Sequence, residues 1–218
     1  QDPLLKREML YQLSYRIIER ANIISNMNFT SSFLINLFLI YIMRAFKLVL
    51  LGYMGSGKTT IGNYLKQDLN YKLYDLDNYI EEKWDLNISD IFQTKGELYF
   101  RKIENKALKE ILDLKGPMII SLGGGTPCYY NNIDYINSRE ETLTFYLKSS
   151  VDSISNRLLN DKNNRPLINN LKNIDEIKGY VNKHLFERNQ FYFKAKHIIS
   201  TDKKNLKTIV AEIKTYLT

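Results

Sequence analysis

The residues with the clearest chemical meaning form the loop Gly52-Tyr53-Met54-Gly55-Ser56-Gly57-Lys58-Thr59. Its spacing is G-x-x-x-x-G-K-T, in which the glycines let successive backbone N–H groups curve around a phosphate. Lys58 would reach the β- and γ-phosphates, and Thr59 would offer its hydroxyl to Mg²⁺. A plain glycine turn would not explain the Lys-Thr pair after the last glycine. The loop therefore predicts a site for a nucleoside triphosphate.

The segments on either side of this loop have the patterns of a strand and a helix. The apolar run 46–51 precedes the loop and is typical of a buried strand. After the loop, Ile61, Leu65 and Leu69 recur at a spacing that places them on one helical face. A helix that begins at the loop also points the positive end of its dipole at a bound phosphate.

Strand-like and helix-like segments alternate along the rest of the chain. The apolar, β-rich runs are residues 46–51, 71–74, 118–122, 142–147 and 197–200. Helical patterns lie between them, and a last one runs from Leu206 to Leu217. This alternation predicts an α/β fold with a parallel sheet and helices on both faces.

Two acids follow the second predicted strand, in Asp75-Leu76-Asp77. In an extended segment both carboxylates point to the same side, and ligands of parallel sheets bind beyond the carboxyl ends of the strands. One acid could hold Mg²⁺, and the other could accept a proton from an acceptor hydroxyl. The alternative is an N-cap and a surface acid at the start of a helix over Asn78–Trp84.

Arg101 and Glu104 stand one turn apart in a predicted helix over Gly96–Lys115. By default such a pair is an exposed ion pair worth about 0.2–0.5 kcal/mol. The functional alternative is a guanidinium that binds a carboxylate and is steadied by a neighbouring acid. The residues alone favour the exposed pair.

Two further segments interrupt the strand and helix pattern. Gly123, Gly124 and Gly125 follow the third predicted strand and indicate a close approach of backbone to ligand, although a flexible turn would have the same composition. Segment 160–173 is rich in Asn and Lys and contains Arg165. A polar segment of this length inside an α/β domain is typical of a functional element such as a closing lid.

Composition narrows the classes of partner. Of the 218 residues, 44% are hydrophobic and 25% are charged, and the net charge is +7. The basic residues are scattered, so anionic small molecules explain the charge better than nucleic acid does. Cys128 is the single cysteine, which excludes an internal disulfide and favours a reducing compartment such as the cytoplasm. His184 and His197 are too far apart in sequence to indicate a zinc site.

Residues 1–43 differ from the rest of the chain. Apolar residues at every fourth position from Leu5 to Ile17 predict an amphipathic helix. The apolar stretch 29–43 would span roughly 22 Å as a helix, short of the ~30 Å hydrocarbon core, so a membrane anchor is not favoured. We interpret 1–43 as a helical N-terminal extension, with Met43 as an alternative natural start, and 44–218 as the catalytic domain.

From about Arg44 to its end, the chain resembles shikimate kinase. Beside the phosphate loop, the motifs that carry the resemblance are Asp75-Leu76-Asp77 with Ile80-Glu81, Ile88-Ser89-Asp90-Ile91-Phe92, Gly96-Glu97, Phe100-Arg101, Ile103-Glu104, Gly123-Gly124-Gly125, Arg165-Pro166-Leu167, and Arg188 with Tyr192. Each motif alone is weak, but together and in the family's order they are specific.

The resemblance implies a fold and an activity. The fold would be a P-loop α/β/α sandwich like that of nucleoside-monophosphate kinases, with a five-stranded parallel sheet. Substrate-binding helices would occupy about 76–115, and a lid about 160–173. The enzyme would be a monomer that transfers the γ-phosphoryl of ATP, with Mg²⁺, to the 3-hydroxyl of shikimate. This reaction belongs to the pathway to chorismate and aromatic amino acids.

The resemblance also assigns roles on the nucleotide side of the site. ATP would contact Gly55, Ser56, Gly57, Lys58, Thr59, Thr60, Arg157 and Arg165. Among these, Arg157 would lie against adenine, and Arg165 would reach the transferring phosphate as the lid closes. Thr59 and Asp75 would hold Mg²⁺, the acid through water.

On the acceptor side, the resemblance makes Asp77 a contact of the substrate hydroxyls and the candidate base. Lys58, Asp77 and Arg165 would thus be the catalytic residues. Arg101, oriented by Glu104, would grip the shikimate carboxylate together with Arg188. The pocket would be lined by Gly123, Gly124 and Gly125, with an apolar wall of Ile88, Phe92 and Phe100.

The chain departs from the family's pattern at two places. Gln190 stands where the family usually has proline, which predicts a looser turn after Arg188. The loop Thr201-Asp202-Lys203-Lys204 only roughly matches the family's adenine-contact loop. The residues that contact the base of the nucleotide are therefore less well defined than those that contact its phosphates.

Two other functions compete with this interpretation. A related kinase could act on gluconate or a nucleoside monophosphate, although two arginines with Asp77 suit a hydroxylated carboxylate better. A non-catalytic nucleotide-binding switch is disfavoured because no N-K-x-D motif follows a late strand.

Overall fold

A five-stranded parallel sheet forms the centre of the protein. The computed structural model describes residues 46–160, 171 and 173–217. The strands are β1 (Lys47–Leu51), β2 (Lys72–Asp75), β3 (Met118–Ser121), β4 (Thr142–Lys148) and β5 (His197–Ser200), in the spatial order β2-β3-β1-β4-β5. All four pairings are parallel. The predicted α/β fold and its five strands are confirmed.

The extension 1–43, the predicted lid and Arg165 lie outside the described residues, apart from the lid's first residue and a few at its end. Within the described ranges, the helices are α1 (Lys58–Leu69), α2 (Leu76–Trp84), α3 (Ile88–Asp113), α4 (Asn132–Asn137), α5 (Val151–Asn160), α6 (Ile174–Tyr192) and α7 (Leu206–Lys214), with a 3₁₀ turn at Thr126–Cys128. None of these helices is long and apolar enough to cross a bilayer.

Two helices begin earlier than the sequence pattern predicts. Helix α2 starts at Leu76 because the Asp75 side chain accepts a hydrogen bond from the backbone N–H of Asp77 and caps the first turn. Helix α3 starts at Ile88 and passes through Gly96, whose φ of 79° and ψ of 171° are not helical. Glycine adopts this conformation without the steric cost of a side chain, so α3 consists of two helical segments joined at a kink.

The sheet is buried on both faces. Successive strand residues point to opposite sides, so Leu48 and Leu50 pack with α1 and α7, whereas Val49 and Leu51 pack with the helices of the other layer. All four leucine and valine side chains are fully buried. Truncation of a β1 side chain, as in Leu50→Ala, would lower the free energy of unfolding by about 2–5 kcal/mol.

The register of the sheet brings three loops together at its carboxyl edge. Ser121, the last residue of β3, pairs with Leu50 on one side and with Asp75 on the other. The backbone N–H of Leu122 then donates to the carbonyl oxygen of Leu50, 3.0 Å away. The segments that follow β1, β2 and β3 therefore leave the sheet side by side, where ligands bind in open parallel sheets.

Candidate active site

A cleft of about 560 Å³ opens at this carboxyl edge. Of the predicted site residues, it is lined by Gly55, Ser56, Gly57, Lys58, Thr59, Thr60, Asp75, Asp77, Gly123, Gly124 and Arg157. Gly125 follows in the same turn as Gly123 and Gly124, and Arg101 and Arg188 lie against this turn. Arg165 is outside the described residues. Segments far apart in sequence thus converge on one site.

The phosphate loop has the backbone that its glycines predict. Gly55 and Gly57 have φ values of 78° and 95°, which non-glycine residues rarely adopt. Helix α1 begins directly after Gly57, so its unpaired N–H groups face the loop. Lys58 donates from Nζ to the carbonyl oxygens of Gly52 at 2.9 Å and Tyr53 at 3.0 Å. The loop combines N–H donors, a helix dipole and an ammonium group, which suits a polyphosphate.

Asp75 and Asp77 have different positions, although both line the cleft. Asp75 is the N-cap of α2 and also lines the cleft. The N-cap role, considered above as the alternative to a site role, therefore does not exclude a position in the cleft. The pKa of Asp77 rises to about 6, first because the carboxyl is desolvated by burial and then because Asp75 and Glu104 are negative neighbours. Lys58 and Arg101 oppose this rise. A carboxyl with a pKa near 6 can accept a proton at neutral pH.

The prediction that Arg101 and Glu104 form an exposed ion pair is wrong. Arg101 is 8% exposed and Glu104 is fully buried, and Arg101 Nη1 donates to Glu104 Oε2 across 2.9 Å. Glu104 Oε1 accepts from the Thr126 hydroxyl at 2.6 Å. Helical spacing gives no sign of this, because burial results from the turn after β3 that covers this part of α3.

Glu97 and Tyr129 are site residues to which sequence reasoning assigned no role. Glu97 Oε1 accepts from Arg101 Nη2 at 3.2 Å and from the Tyr129 hydroxyl at 2.9 Å. The hydrogen bond from Tyr129, and secondarily the charge of Arg101, hold the pKa of Glu97 below its usual range. The Tyr129 ring lies 4.3 Å from the guanidinium carbon of Arg101. The Gly96-Glu97 motif could have identified Glu97 from the sequence, whereas no sequence feature pointed to Tyr129.

The glycine turn after β3 lies against both arginines. A Cβ added to Gly125 would lie 2.7 Å from Arg101 Nη2, and one added to Gly124 would lie 3.7 Å from Arg188 Nη1. A Cβ on Gly123 would approach Asp77 Oδ1 to 2.9 Å. The three glycines therefore bring bare backbone between the two guanidinium groups and the Asp77 carboxylate.

Arg188 differs from Arg101 in its electrostatic surroundings. Arg101 is paired with two carboxylates, whereas Arg188 has no carboxylate within ion-pair distance in the described part of the chain. Arg188 lies near Tyr192, whose hydroxyl donates to the Gly124 carbonyl oxygen. A half-buried guanidinium without a counter-ion is a favourable place for an anionic ligand.

The looser turn predicted after Arg188 is not what the structure contains. Gln190 lies inside α6, which continues to Tyr192, and its side-chain amide donates to the Glu187 carbonyl oxygen at 3.1 Å. Without proline at this position, the helix keeps its backbone hydrogen bond and carries Arg188 on a regular turn.

Arg157 marks the other end of the cleft. Its Nη1 donates to the Gly55 carbonyl oxygen at 2.9 Å, so the guanidinium lies over the phosphate loop. Thr201 and Lys204, from the loop after β5, line the same end. The loop after β5 matches the family pattern poorly. It nevertheless borders the part of the cleft into which the base of a nucleotide would extend from the phosphate loop.

Comparison with known proteins agrees with this geometry. A family model for shikimate kinase matches residues 54–218. The chain belongs to the shikimate kinase family. A shikimate kinase of Flavobacterium johnsoniae is 42% identical over 167 residues, which is 77% of this chain and 96% of that protein. The whole N-terminal extension, residues 1–43, lies outside the family match.

Solved structures of the shikimate kinase family have the same fold. The crystal structure of shikimate kinase from Bacteroides thetaiotaomicron is 32% identical, has a TM-score of 0.72, and covers 79% of this chain and 98% of that one. The shikimate kinase of Acinetobacter baumannii, solved in complex with shikimate, is 30% identical, with a TM-score of 0.68 and coverage of 78% and 92%.

Proposed function

We propose that this chain is an ATP-dependent shikimate kinase, which transfers the γ-phosphoryl group of ATP to the 3-hydroxyl of shikimate. Family membership supports the activity. Within the structure, the main support for this activity is the position of the glycine turn 123–125. Gly124 and Gly125 lie against Arg188 and Arg101, and Gly123 lies against Asp77, so one turn joins a carboxylate-binding end to a candidate base.

Shikimate fits this arrangement because its carboxylate and its hydroxyls lie on opposite sides of one ring. We place the carboxylate at Arg101 and Arg188 and the reacting hydroxyl at Asp77. Phe92 and Phe100, whose ring centroids are 4.6 Å apart, supply apolar surface near Arg101. A nucleotide acceptor would instead require a base pocket.

On the nucleotide side, the triphosphate lies in the phosphate loop between Gly55 and Thr60, and Arg157 borders the adenosine. Lys58 exchanges its two carbonyl contacts for phosphate oxygens. Thr59 and Asp75 offer oxygen ligands in the same cleft, which are the donors that Mg²⁺ prefers, so these residues fit the ion. When bound, Mg²⁺ neutralises charge on the β- and γ-phosphates.

In the reaction, the shikimate 3-oxygen forms a bond to the γ-phosphorus as the bond from that phosphorus to the β,γ-bridging oxygen breaks, and ADP leaves. Asp77 aligns the hydroxyl and takes its proton. The transition state spreads negative charge over three oxygens, so alignment and positive charge from Lys58 and Arg165 are the main contributions of the protein. Arg101 and Arg188 bind a group that does not react, and so mostly set affinity and position.

We further propose that the catalytic domain is 44–218 and that it acts as a cytoplasmic monomer without nucleic-acid or membrane partners. The match to the family over 54–218, the scattered basic residues and the single cysteine support this. Gel filtration of the full chain and of fragment 44–218, followed by a shikimate kinase assay of both, tests it. A dimer, or activity only in the full chain, would contradict it.

A coupled assay that follows ADP release tests the function itself. Shikimate should drive ADP release, and ³¹P spectroscopy should find the phosphate on the 3-oxygen. Release that does not depend on shikimate would overturn the assignment.

A further inference from the structure

Tyr53 is a residue of the phosphate loop whose side chain leaves the loop. Its carbonyl oxygen accepts from Lys58 Nζ at 3.0 Å and from the backbone N–H of Ser56 at 3.1 Å. Its side chain is fully buried and belongs to the hydrophobic core on the side of α6. One residue therefore joins the phosphate-binding backbone to the helix that carries Arg188.

The side chain of Tyr53 contacts two residues of α6 that stand one turn apart. Its hydroxyl is 2.9 Å from His184 Nδ1, and its ring centroid is 5.5 Å from the guanidinium carbon of Arg188. Tyr180 also packs edge-on against His184, with ring centroids 4.2 Å apart. The hydroxyl is thus held by an imidazole that is itself held in place.

Both partners of this hydrogen bond are neutral at pH 7. Burial raises the pKa of Tyr53, so the phenol stays protonated. Burial and the positive charge of Arg188 lower the pKa of His184, so the imidazole carries no charge. A neutral imidazole and a phenol form one hydrogen bond in either donor direction. The pair therefore adds no charge beside Arg188, which keeps its positive charge available for a ligand.

The hydrogen bond fixes the position of the ring that Arg188 faces. A buried hydroxyl without a partner is costly, so the hydroxyl end of the ring stays beside His184 and the long axis of the ring is held in place. The face of an aromatic ring attracts a guanidinium, and this attraction depends on the position of the ring. Arg188 also lies near Tyr192, whose hydroxyl donates to the Gly124 carbonyl oxygen. Arg188 is therefore close to two tyrosines, of which Tyr53 belongs to the phosphate loop.

We propose that Tyr53 and His184 are a positioning pair for Arg188, which sets where the carboxylate of the acceptor binds. The inference rests on the proposed function, because the anion at Arg188 is taken to be the carboxylate of shikimate. Neither residue touches the reacting atoms. Because Tyr53 also belongs to the phosphate loop, the pair fixes the distance between the phosphate-binding loop and the carboxylate-binding Arg188.

The test measures shikimate KM, ATP KM and kcat for Tyr53→Phe, His184→Leu and His184→Asn in the full chain. Loss of the hydrogen bond in Tyr53→Phe and His184→Leu should raise the shikimate KM roughly three- to tenfold. The ATP KM and kcat should stay within about twofold, because the carboxylate does not react. His184→Asn should recover most of the affinity, since the asparagine side chain can occupy the position of Nδ1.

A double-mutant cycle with Arg188→Ala tests whether the pair acts through Arg188. If it does, adding Tyr53→Phe to Arg188→Ala should raise the shikimate KM no further. Tyr146→Phe is the matched control, because it also deletes a buried hydroxyl that binds α6, at Asn189 Oδ1 across 3.0 Å. This control should lower the melting temperature but leave the shikimate KM unchanged.

Several results would overturn the positioning pair while leaving the proposed function intact. The first is an unchanged shikimate KM in Tyr53→Phe. The second is a loss of kcat or of ATP affinity in Tyr53→Phe as large as its loss of shikimate affinity. The third is a rise in the shikimate KM on adding Tyr53→Phe to Arg188→Ala that is as large as the rise in the wild-type background. A wild-type chain that does not phosphorylate shikimate would overturn the proposed function and this inference together.

Discussion

Glu104 and Arg101 form a buried ion pair, in which Glu104 is fully buried and Arg101 is 8% exposed. Their closest atoms, Arg101 Nη1 and Glu104 Oε2, are 2.9 Å apart. Because the Glu104 carboxylate also accepts from Thr126, its position is fixed from two sides. Arg101 therefore has two tasks, to neutralise a buried charge and to present its remaining N–H groups.

Arg101→Ala should affect both substrate binding and stability. The shikimate KM should rise far more than kcat falls, because the guanidinium binds a group that does not react. The free energy of unfolding should fall by about 3 kcal/mol, since Glu104 would remain as an unpaired buried charge. Steady-state kinetics and urea unfolding measure the two effects separately.

The double variant Arg101→Ala with Glu104→Gln is the control for this prediction. It removes the unpaired charge, so most of the lost stability should return while the shikimate KM stays high. Recovery of the KM together with stability would mean that Arg101 has only a structural task.

The pKa of Asp77, about 6, predicts an acid limb in the rate profile. If the ionised carboxylate accepts the proton, kcat/KM, which reports the groups of the free enzyme, should fall about tenfold per pH unit below 6 and level off above it. Glu104→Gln should move this limb to lower pH, because the charge of Glu104 helps to raise the Asp77 pKa. A profile that stays flat down to pH 5, or a limb that Glu104→Gln leaves in place, would count against Asp77 as the base.

The same pKa predicts that Asp77 lowers stability at neutral pH. Its pKa is higher in the folded chain than the ordinary value of 3.8, so the folded state binds the proton more tightly. Stability should fall as the pH rises from about 4 to about 6 and then stay constant. Asp77→Asn should therefore be inactive but roughly 1–3 kcal/mol more stable than the wild type at pH 7, with no difference at pH 4. Thermal unfolding at the two pH values decides this.

Gly125→Ala should raise the shikimate KM by displacing Arg101. The added Cβ would meet the guanidinium at 2.7 to 2.9 Å, closer than carbon and nitrogen atoms approach without bonding. Gly179→Ala is the matched control, since Gly179 lies in α6 with no atom within 4 Å of the added Cβ. The control should keep wild-type kinetics and gain about 0.5–1 kcal/mol of stability. Equal KM values for the two variants would contradict the close packing of the turn.

Sequence patterns were sufficient for the sheet because each strand has a local apolar signature. The runs at 46–51 and 118–122 coincide with β1 and β3 to within a residue at each end, and the phosphate loop could be located from its spacing alone. Helix starts were less accurate, since the start of α2 depends on a cap made by Asp75 and that of α3 on a kink at Gly96.

The contacts around the arginines could not be read from local pattern. The burial of Arg101 and Glu104 depends on the turn that carries Thr126, which is 22 residues from Glu104 in sequence. The contact between Tyr53 and His184 spans 131 residues. Such contacts are set by tertiary packing, and periodicity within one helix carries no information about the neighbouring element that covers it.

The most direct test of the central claim is ADP release by the purified full chain with ATP, Mg²⁺ and one of three acceptors: shikimate, gluconate or a nucleoside monophosphate. Lys58→Ala, which should keep its wild-type circular dichroism spectrum, is the matched inactive control. We expect release with shikimate alone and loss of most of it in Lys58→Ala. Release with gluconate or the nucleotide but not with shikimate, or near-normal activity in Lys58→Ala, would contradict the proposed function.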